Sequence, residues 1–164
     1  MSQIPSSLDR LRIKQIVSYQ YVLTQEEADQ FIPDDIQVEY SKKTKKIRYI
    51  YLKHRLWGII RPNDGFFLLT PASAEFLIQL LPFPRLRVVV QSDVSEFLRK
   101  GGNVFAKHVV EADPLIIPYS EVIMVDEDDI PVAIGKAYLT REEMLSFQRG
   151  VAVKVRKRIE INKI

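Results

Sequence analysis

Two prolines in three residues, Pro82 and Pro84 in the stretch LPFPR, impose the strongest single constraint on this 164-residue chain. Proline fixes φ and lacks a backbone N–H, so neither a helix interior nor a central strand runs through the pair. The stretch reads as a short stiff connector, and it divides the chain into two small domains, 1–83 and 84–164, each able to build one modest core.

Ahead of the connector, short helices and strands mix. Ser7 is placed to cap a helix through LDRLRIKQIVSYQ, and Thr24 with Glu27 has the capping-box spacing for a second helix, which Pro33 ends. KKIRYIYL and WGIIR read as strands, and an NDG turn leads into FFLL, giving a small antiparallel sheet. Thr70 followed by Pro71 starts another helix, because proline suits the first helical position.

Beyond the connector, RLRVVV reads as a buried strand. Asp93 with Glu96 has capping-box spacing for a helix VSEFLRK that Gly101 and Gly102 terminate, and NVFAKHVV reads as the next strand. EVIMV and PVAIGKAYL follow, joined by the acidic turn DEDDI, and Thr140 with Glu143 caps a short helix. In the closing VAVKVRKRI, strand alternation sets Val151, Val153 and Val155 on one face and Lys154, Arg156 and Arg158 on the other. The expected fold class is α+β, with a small α/β domain followed by a compact β-barrel that short helices plug.

A net charge of +3 hides an uneven distribution. Lys42 to Arg55 carries seven Lys/Arg and no acid, and Lys154 to Lys163 carries five against Glu160 alone. Between Ala112 and Ile130 the balance reverses, with Asp113, Glu121, Asp126, Glu127, Asp128 and Asp129 and no base. Such separation suits a polyanionic partner.

Most chemistries lack their residues. With no cysteine and only His54 and His108, the chain offers no disulfide, thiolate zinc, iron–sulfur cluster, cysteine nucleophile or three-histidine metal site. GGNVFAKH departs from the nucleotide-binding loop: Ala106 replaces its second glycine, His108 its magnesium-binding hydroxyl, and the segment follows a helix instead of opening one. DEDDI lacks the glycine and twelfth-position Glu of a calcium loop, and no G-x-S-x-G elbow is present. No catalytic residue, metal or cofactor is therefore expected. No apolar run is long enough to span a bilayer, and MSQIPSSLDRLRIKQ lacks the features of a signal peptide, so a cytoplasmic protein without membrane association is expected.

What remains is a basic constellation of Lys100, Lys107 and His108 beside the final-strand residues Lys154, Arg156, Lys157 and Arg158. Gly101 and Gly102 let a phosphate backbone approach exposed N–H groups, and Asn103 has a hydrogen bond to offer a base or sugar. The aromatics in KIRYIYLKHRLW read either as stacking surfaces for unpaired bases or as core residues.

The second half resembles a PUA domain from about Arg87 to Ile159, carried by FLRKGGNVFAKHV, the strand ending in AIGKA, the EEML helix and the closing GVAVKVR. That resemblance implies a β pseudo-barrel that grips RNA through the glycine loop, the strand after it and the last strand, hence through Gly101, Gly102, Asn103, Lys107, His108 and the row from Lys154 to Arg158. One departure is Pro118 followed by Tyr119 and Ser120, where many members of the family have a glycine. The first half is similar to the domain that precedes PUA in archaeal archaeosine-forming tRNA-guanine transglycosylase and archaeosine synthase, on LRIKQIVSYQY, YSKKTKKIRYIYL and IIRPNDGFFLLTPASAEFL. It departs at Val22, where that family often has glycine. Taken together, the resemblances imply a noncatalytic tRNA-binding subunit serving a separate transglycosylase or archaeosine synthase chain. A free-standing rRNA-binding or ribosome-assembly factor, or a protein-interaction module, is the alternative.

Overall fold

The computed structural model describes residues 1–160; Lys163, counted in the second basic block, lies outside the described residues. The chain divides into two compact units, Met1–Leu77 and Ile78–Ile164.

The first unit opens with α1 (Ser7–Tyr21), whose cap is Ser6 and not Ser7: the Ser6 hydroxyl accepts the Asp9 N–H at 3.1 Å. Ile13, Val17 and Tyr21, spaced four apart on one stripe, are the buried residues of α1. Helix α2 (Gln25–Phe31) carries the Thr24–Glu27 capping box and stops short of Pro33. A strand the sequence reading did not single out, β1 (Gln37–Tyr40), joins β2 (Ile47–Leu52), β3 (Arg55–Ile60) and β4 (Phe67–Leu69) in an antiparallel meander, and α3 (Pro71–Leu80) follows. Aromatic rings fill the core: Phe31 lies 5.6 Å from both Trp57 and Phe67, and Trp57 lies 5.5 Å from Phe76. Their polar tips are satisfied, since the Trp57 indole donates to the Phe31 carbonyl at 2.9 Å and the Tyr21 hydroxyl to the Phe67 carbonyl at 2.7 Å.

The second unit contains β5 (Arg87–Val90), α4 (Ser92–Arg99), β6 (Val104–Phe105), β7 (Val109–Ala112), β8 (Glu121–Val125), β9 (Pro131–Ala137), α5 (Arg141–Ser146) and β10 (Val151–Arg158). Among the described residues its six strands lie in the order β6-β10-β9-β8-β5-β7, with β5 and β8 paired in parallel. NVFAKHVV is therefore not one strand, because a 3₁₀ turn at Ala106–His108 splits it. The two pieces serve opposite edges of the sheet, so one short segment reaches from edge to edge and brings the barrel near closure. Val88, Val90, Leu98, Val104, Val122, Met124, Met144 and Val153 pack inside it. Helix α5 has the expected Thr140–Glu143 capping box, whereas α4 starts at Ser92 with Gln91 at its cap and no side-chain cap bond, so the Asp93–Glu96 box does not form.

Both departures from glycine noted in the sequence fall on left-handed backbone. Val22 ends α1 at φ 54°, and Tyr119 turns the chain at φ 71°. Tyr119 keeps the turn by donating its N–H to the Ala137 carbonyl at 2.6 Å and by setting its ring 6.1 Å from that of Tyr138. Among the described residues, no helix is long and apolar enough to cross a membrane.

Candidate nucleic-acid interface

The site begins where α4 ends. Leu98 anchors the helix in the barrel core, Lys100 closes its last turn, and Gly101 and Gly102 follow at φ 109° and 130°, values that L side chains rarely adopt. A Cβ at Gly101 would meet nothing within 4 Å, so that glycine is required by conformation and not by packing. One at Gly102 would come within 3.1 Å of the Phe97 ring. The Gly101 N–H donates to the Leu98 carbonyl at 3.1 Å, while the Gly102 N–H finds no acceptor among the described residues.

Strand β10 runs alongside this loop, and its register explains what the loop meets. Gly135 on β9 faces Val155, and a Cβ there would lie 2.3 Å from the Lys154 carbonyl oxygen, so only glycine permits this approach of the two strands. The register then slips between Val155 and Lys157, leaving Arg156 as the extra residue of a bulge. The simple alternation expected of VAVKVRKRI is broken, and Arg156, Lys157 and Arg158 are exposed in succession.

Two bonds fasten the loop to the strand. Asn103 Oδ1 accepts the Val155 N–H at 3.2 Å, and Arg158 Nη1 donates to the Arg99 carbonyl at 3.0 Å. The Arg158 cation thus sits at the C-terminal end of α4, where the helix dipole favours positive charge. Asn103 was expected to offer its side chain to a base or sugar; its oxygen is instead committed to β10, and the amide NH₂ is the end left for a ligand.

The result is an open groove of about 380 Å³ lined by Lys100, Gly101, Gly102, Asn103, Val155, Arg156, Lys157, Arg158 and Glu160. Seven of the ten residues read from the sequence converge here; Lys107, His108 and Lys154 do not line it. Lys107 and His108 lie on the 3₁₀ turn, where the His108 carbonyl accepts the Gln91 N–H at 3.1 Å and the ring Nδ1 stands 3.4 Å from Gln91 Oε1. Lys154 pairs across the sheet with Lys136.

Glu121 was read in the sequence only as part of an acidic stretch, yet its side chain, 8% exposed, accepts the Arg156 Nε–H at 2.8 Å. The pair is 35 residues apart and becomes visible only through the β8–β9–β10 register. Glu121 fixes the direction of Arg156, while Lys100 on the loop and Lys157 on the strand both line the groove and add positive charge to it. An open, charged trough beside a glycine loop fits a phosphate backbone better than an enclosed small molecule, whose sites are mostly apolar.

Comparison with known proteins identifies a domain family in each half of the chain. Residues 11–84 match the patch-forming domain C2 of tRNA-guanine transglycosylase, and residues 86–159 match the PUA domain. The chain is a C2 domain followed by a PUA domain. It is 46% identical over 126 residues to the tRNA-guanine(15) transglycosylase of Thermococcus kodakarensis, covering 77% of this chain and 22% of that enzyme. Against the enzyme of the same name from Methanocaldococcus jannaschii it is 38% identical over 156 residues, covering 94% of this chain and 24% of the enzyme. The C2–PUA chain is thus homologous over most of its length to the C-terminal part of the archaeal transglycosylase, and spans about a quarter of the length of these relatives. The fold itself recurs in a hypothetical protein from Pyrococcus horikoshii, with a TM-score of 0.76 at 24% identity, 96% of this chain and 94% of that one being covered. It recurs again in a conserved PUA domain protein from Thermoplasma acidophilum, with a TM-score of 0.70 at 15% identity and 99% and 96% coverage.

Proposed function

We propose that this C2–PUA chain is a noncatalytic tRNA-binding accessory subunit of archaeosine formation, holding tRNA in the cytoplasm for a transglycosylase or archaeosine synthase whose catalytic part is a separate chain. The observation that carries this reading is the groove in which the Gly101–Gly102 loop meets Arg156, Lys157 and Arg158, in a chain homologous to one region of an enzyme named for a tRNA guanine. The groove offers backbone N–H groups, lysines and arginines, which contact phosphates without reading bases, so it supplies grip and leaves the choice of nucleotide to the catalytic chain.

A mobility shift with a tRNA transcript at low salt tests the RNA half of the proposal. Wild type is expected to bind, and replacing Lys100, Arg156, Lys157 and Arg158 together by Ala is expected to weaken binding by at least about tenfold, given the phosphate contacts removed. Unaltered binding would remove the groove from the proposal. Affinity isolation from the native source tests the other half, with a transglycosylase or archaeosine synthase chain as the expected partner. Crosslinks in cells that fall on rRNA instead of tRNA would replace this reading by ribosome assembly.

A further inference from the structure

The first basic block has no part in the groove, and its own surroundings give it a separate role. Along β2, Ile50 is fully buried together with Val38 on β1, while Tyr49 and Tyr51, one residue to either side, are only half-buried because strand side chains alternate faces. Cross-strand register places Glu39, Tyr49, Ile59 and Leu68 in one row across all four strands, each of them half-buried. This row and Tyr51 beside it form the outward face of the sheet, with the two tyrosines about 7 Å apart along β2. The Arg48 guanidinium lies 5.7 Å from the centre of the Tyr49 ring.

Both ends of β2 lead into basic turns. Lys42, Lys43, Lys45 and Lys46 precede it, all exposed and without an ion pair among the described residues, and Lys53, His54 and Arg55 follow it, also exposed. Glu39 is the one carboxylate in the row, and it accepts the Tyr51 hydroxyl at 3.4 Å. An apolar face alone would suit many partners; one bearing two half-buried aromatic rings and bounded at both ends by exposed cations is complementary to unpaired bases joined by phosphates.

We infer that the outward face of the β1–β4 sheet is a second RNA site, in which Tyr49 and Tyr51 stack on unpaired bases while the turns at Lys42–Lys46 and Lys53–Arg55 hold the flanking phosphates. The inference deepens the tRNA-binding reading, on which it rests: the groove grips structured RNA through its backbone, and this face takes a single-stranded segment.

Fluorescence anisotropy with the full chain tests it, using a labelled oligouridylate of about ten nucleotides and, separately, a tRNA transcript. Replacing Tyr49 and Tyr51 together by Ala is expected to weaken oligouridylate binding about tenfold or more, and replacing both by Phe to restore it within about twofold, since stacking needs the ring and not the hydroxyl. Lys42, Lys43, Lys45 and Lys46 changed to Ala lie on an exposed turn and leave folding untouched; each lysine that meets a phosphate should lower the single-strand salt slope by about 0.7. Oligouridylate affinity unchanged in both the Tyr→Ala and the lysine variants would overturn the inference. So would loss of a protein partner in the Tyr→Ala variant with RNA binding intact, which would make the face a protein dock. Wild type that binds tRNA through the groove but not oligouridylate sinks this inference alone; wild type that binds neither RNA sinks the tRNA-binding reading with it.

Discussion

Asp129, at the tip of the acidic turn, holds the guanidinium of Arg87 through two parallel N–H···O bonds of 3.1 Å each, across 42 residues of sequence. Arg87 is 1% exposed, and its remaining donors go to the carbonyls of Ile78, Leu81 and Arg85 at 2.6 to 3.0 Å. A buried arginine is tolerated only when its fork of donors is filled, and here it is. The two residues are not equivalent, because the Asp129 side chain is 36% exposed and water can replace part of what it loses. Arg87→Ala strips the buried Leu81 carbonyl and the partly buried Ile78 and Arg85 carbonyls of their donor and is expected to cost about 3–5 kcal/mol, while Asp129→Asn is expected to cost about 1–3 kcal/mol. Urea unfolding monitored by circular dichroism measures both; equal and small losses would mean that the pair contributes little.

Val22 is a β-branched residue at φ 54°, a region that glycine occupies without steric penalty. Val22 is 56% exposed, so little packing is lost on removing its side chain. Relief of the left-handed penalty outweighs the extra freedom glycine gives the unfolded chain, and Val22→Gly is expected to raise stability by about 0.5–1 kcal/mol. Tyr119→Gly is expected to gain less, because it gives up the ring contact with Tyr138 at 6.1 Å. Thermal unfolding of the two variants side by side orders them.

The features legible in the sequence are those whose partners lie within a few residues of each other. Thr24–Glu27 and Thr140–Glu143 are capping boxes because both members are three residues apart, and the strands EVIMV and PVAIGKA announce themselves by composition and length. Asp93–Glu96 has the same spacing and fails, because α4 starts one residue before Asp93, with Gln91 as its cap. The split of NVFAKHVV into two strands was not legible, since its apolar pattern is continuous and the 3₁₀ turn is imposed by the need to reach both edges of one sheet. At the groove, the residue types were readable but their roles were not. Arg156 is thrown out of alternation by a bulge next to the point where Gly135 lets β9 touch β10, and Asn103 is turned inward by a backbone N–H 52 residues away.

Glu111 on β7 and Arg141 at the start of α5 join strand to helix through a 2.8 Å bond. The Arg141 guanidinium, helped by the Ala112 N–H, holds the Glu111 carboxyl below its ordinary value of 4.5. A carboxyl whose pKa is lower in the folded state stabilises the fold above its unfolded pKa and loses that contribution as pH falls through the folded value. The pair is therefore intact at neutral pH and fails below about pH 4.5. Both side chains are about a third exposed, so the effect is that of a surface pair, and added salt reduces it. Glu111→Gln is expected to melt slightly below wild type at pH 7, with the gap closing as the pH drops below 4.5. A gap that persists at pH 3 would assign the loss to packing and not to charge.

Lys157, Arg158 and Asn103 line the same groove but do different things there, and salt separates them. Lys157 contributes a cation to the groove; Arg158 contributes a cation and also ties the loop through the Arg99 carbonyl at 3.0 Å; Asn103 contributes no charge and ties the loop through Val155 at 3.2 Å. Counterion release makes the slope of log affinity against log salt a count of phosphate contacts, whereas the position of the line also records how well the site is preorganised. For tRNA titrated between about 50 and 200 mM salt, Lys157→Ala is expected to reduce the slope by about 0.7–0.9 with little further loss. Asn103→Ala is expected to shift the whole line to weaker binding at unchanged slope, because it frees the glycine loop without removing a charge. Arg158→Ala is expected to do both. If Asn103→Ala changed the slope, or if Arg158→Ala behaved like Lys157→Ala, the loop would not be held by these two bonds in the RNA complex, and the groove would owe its shape to the bound phosphates.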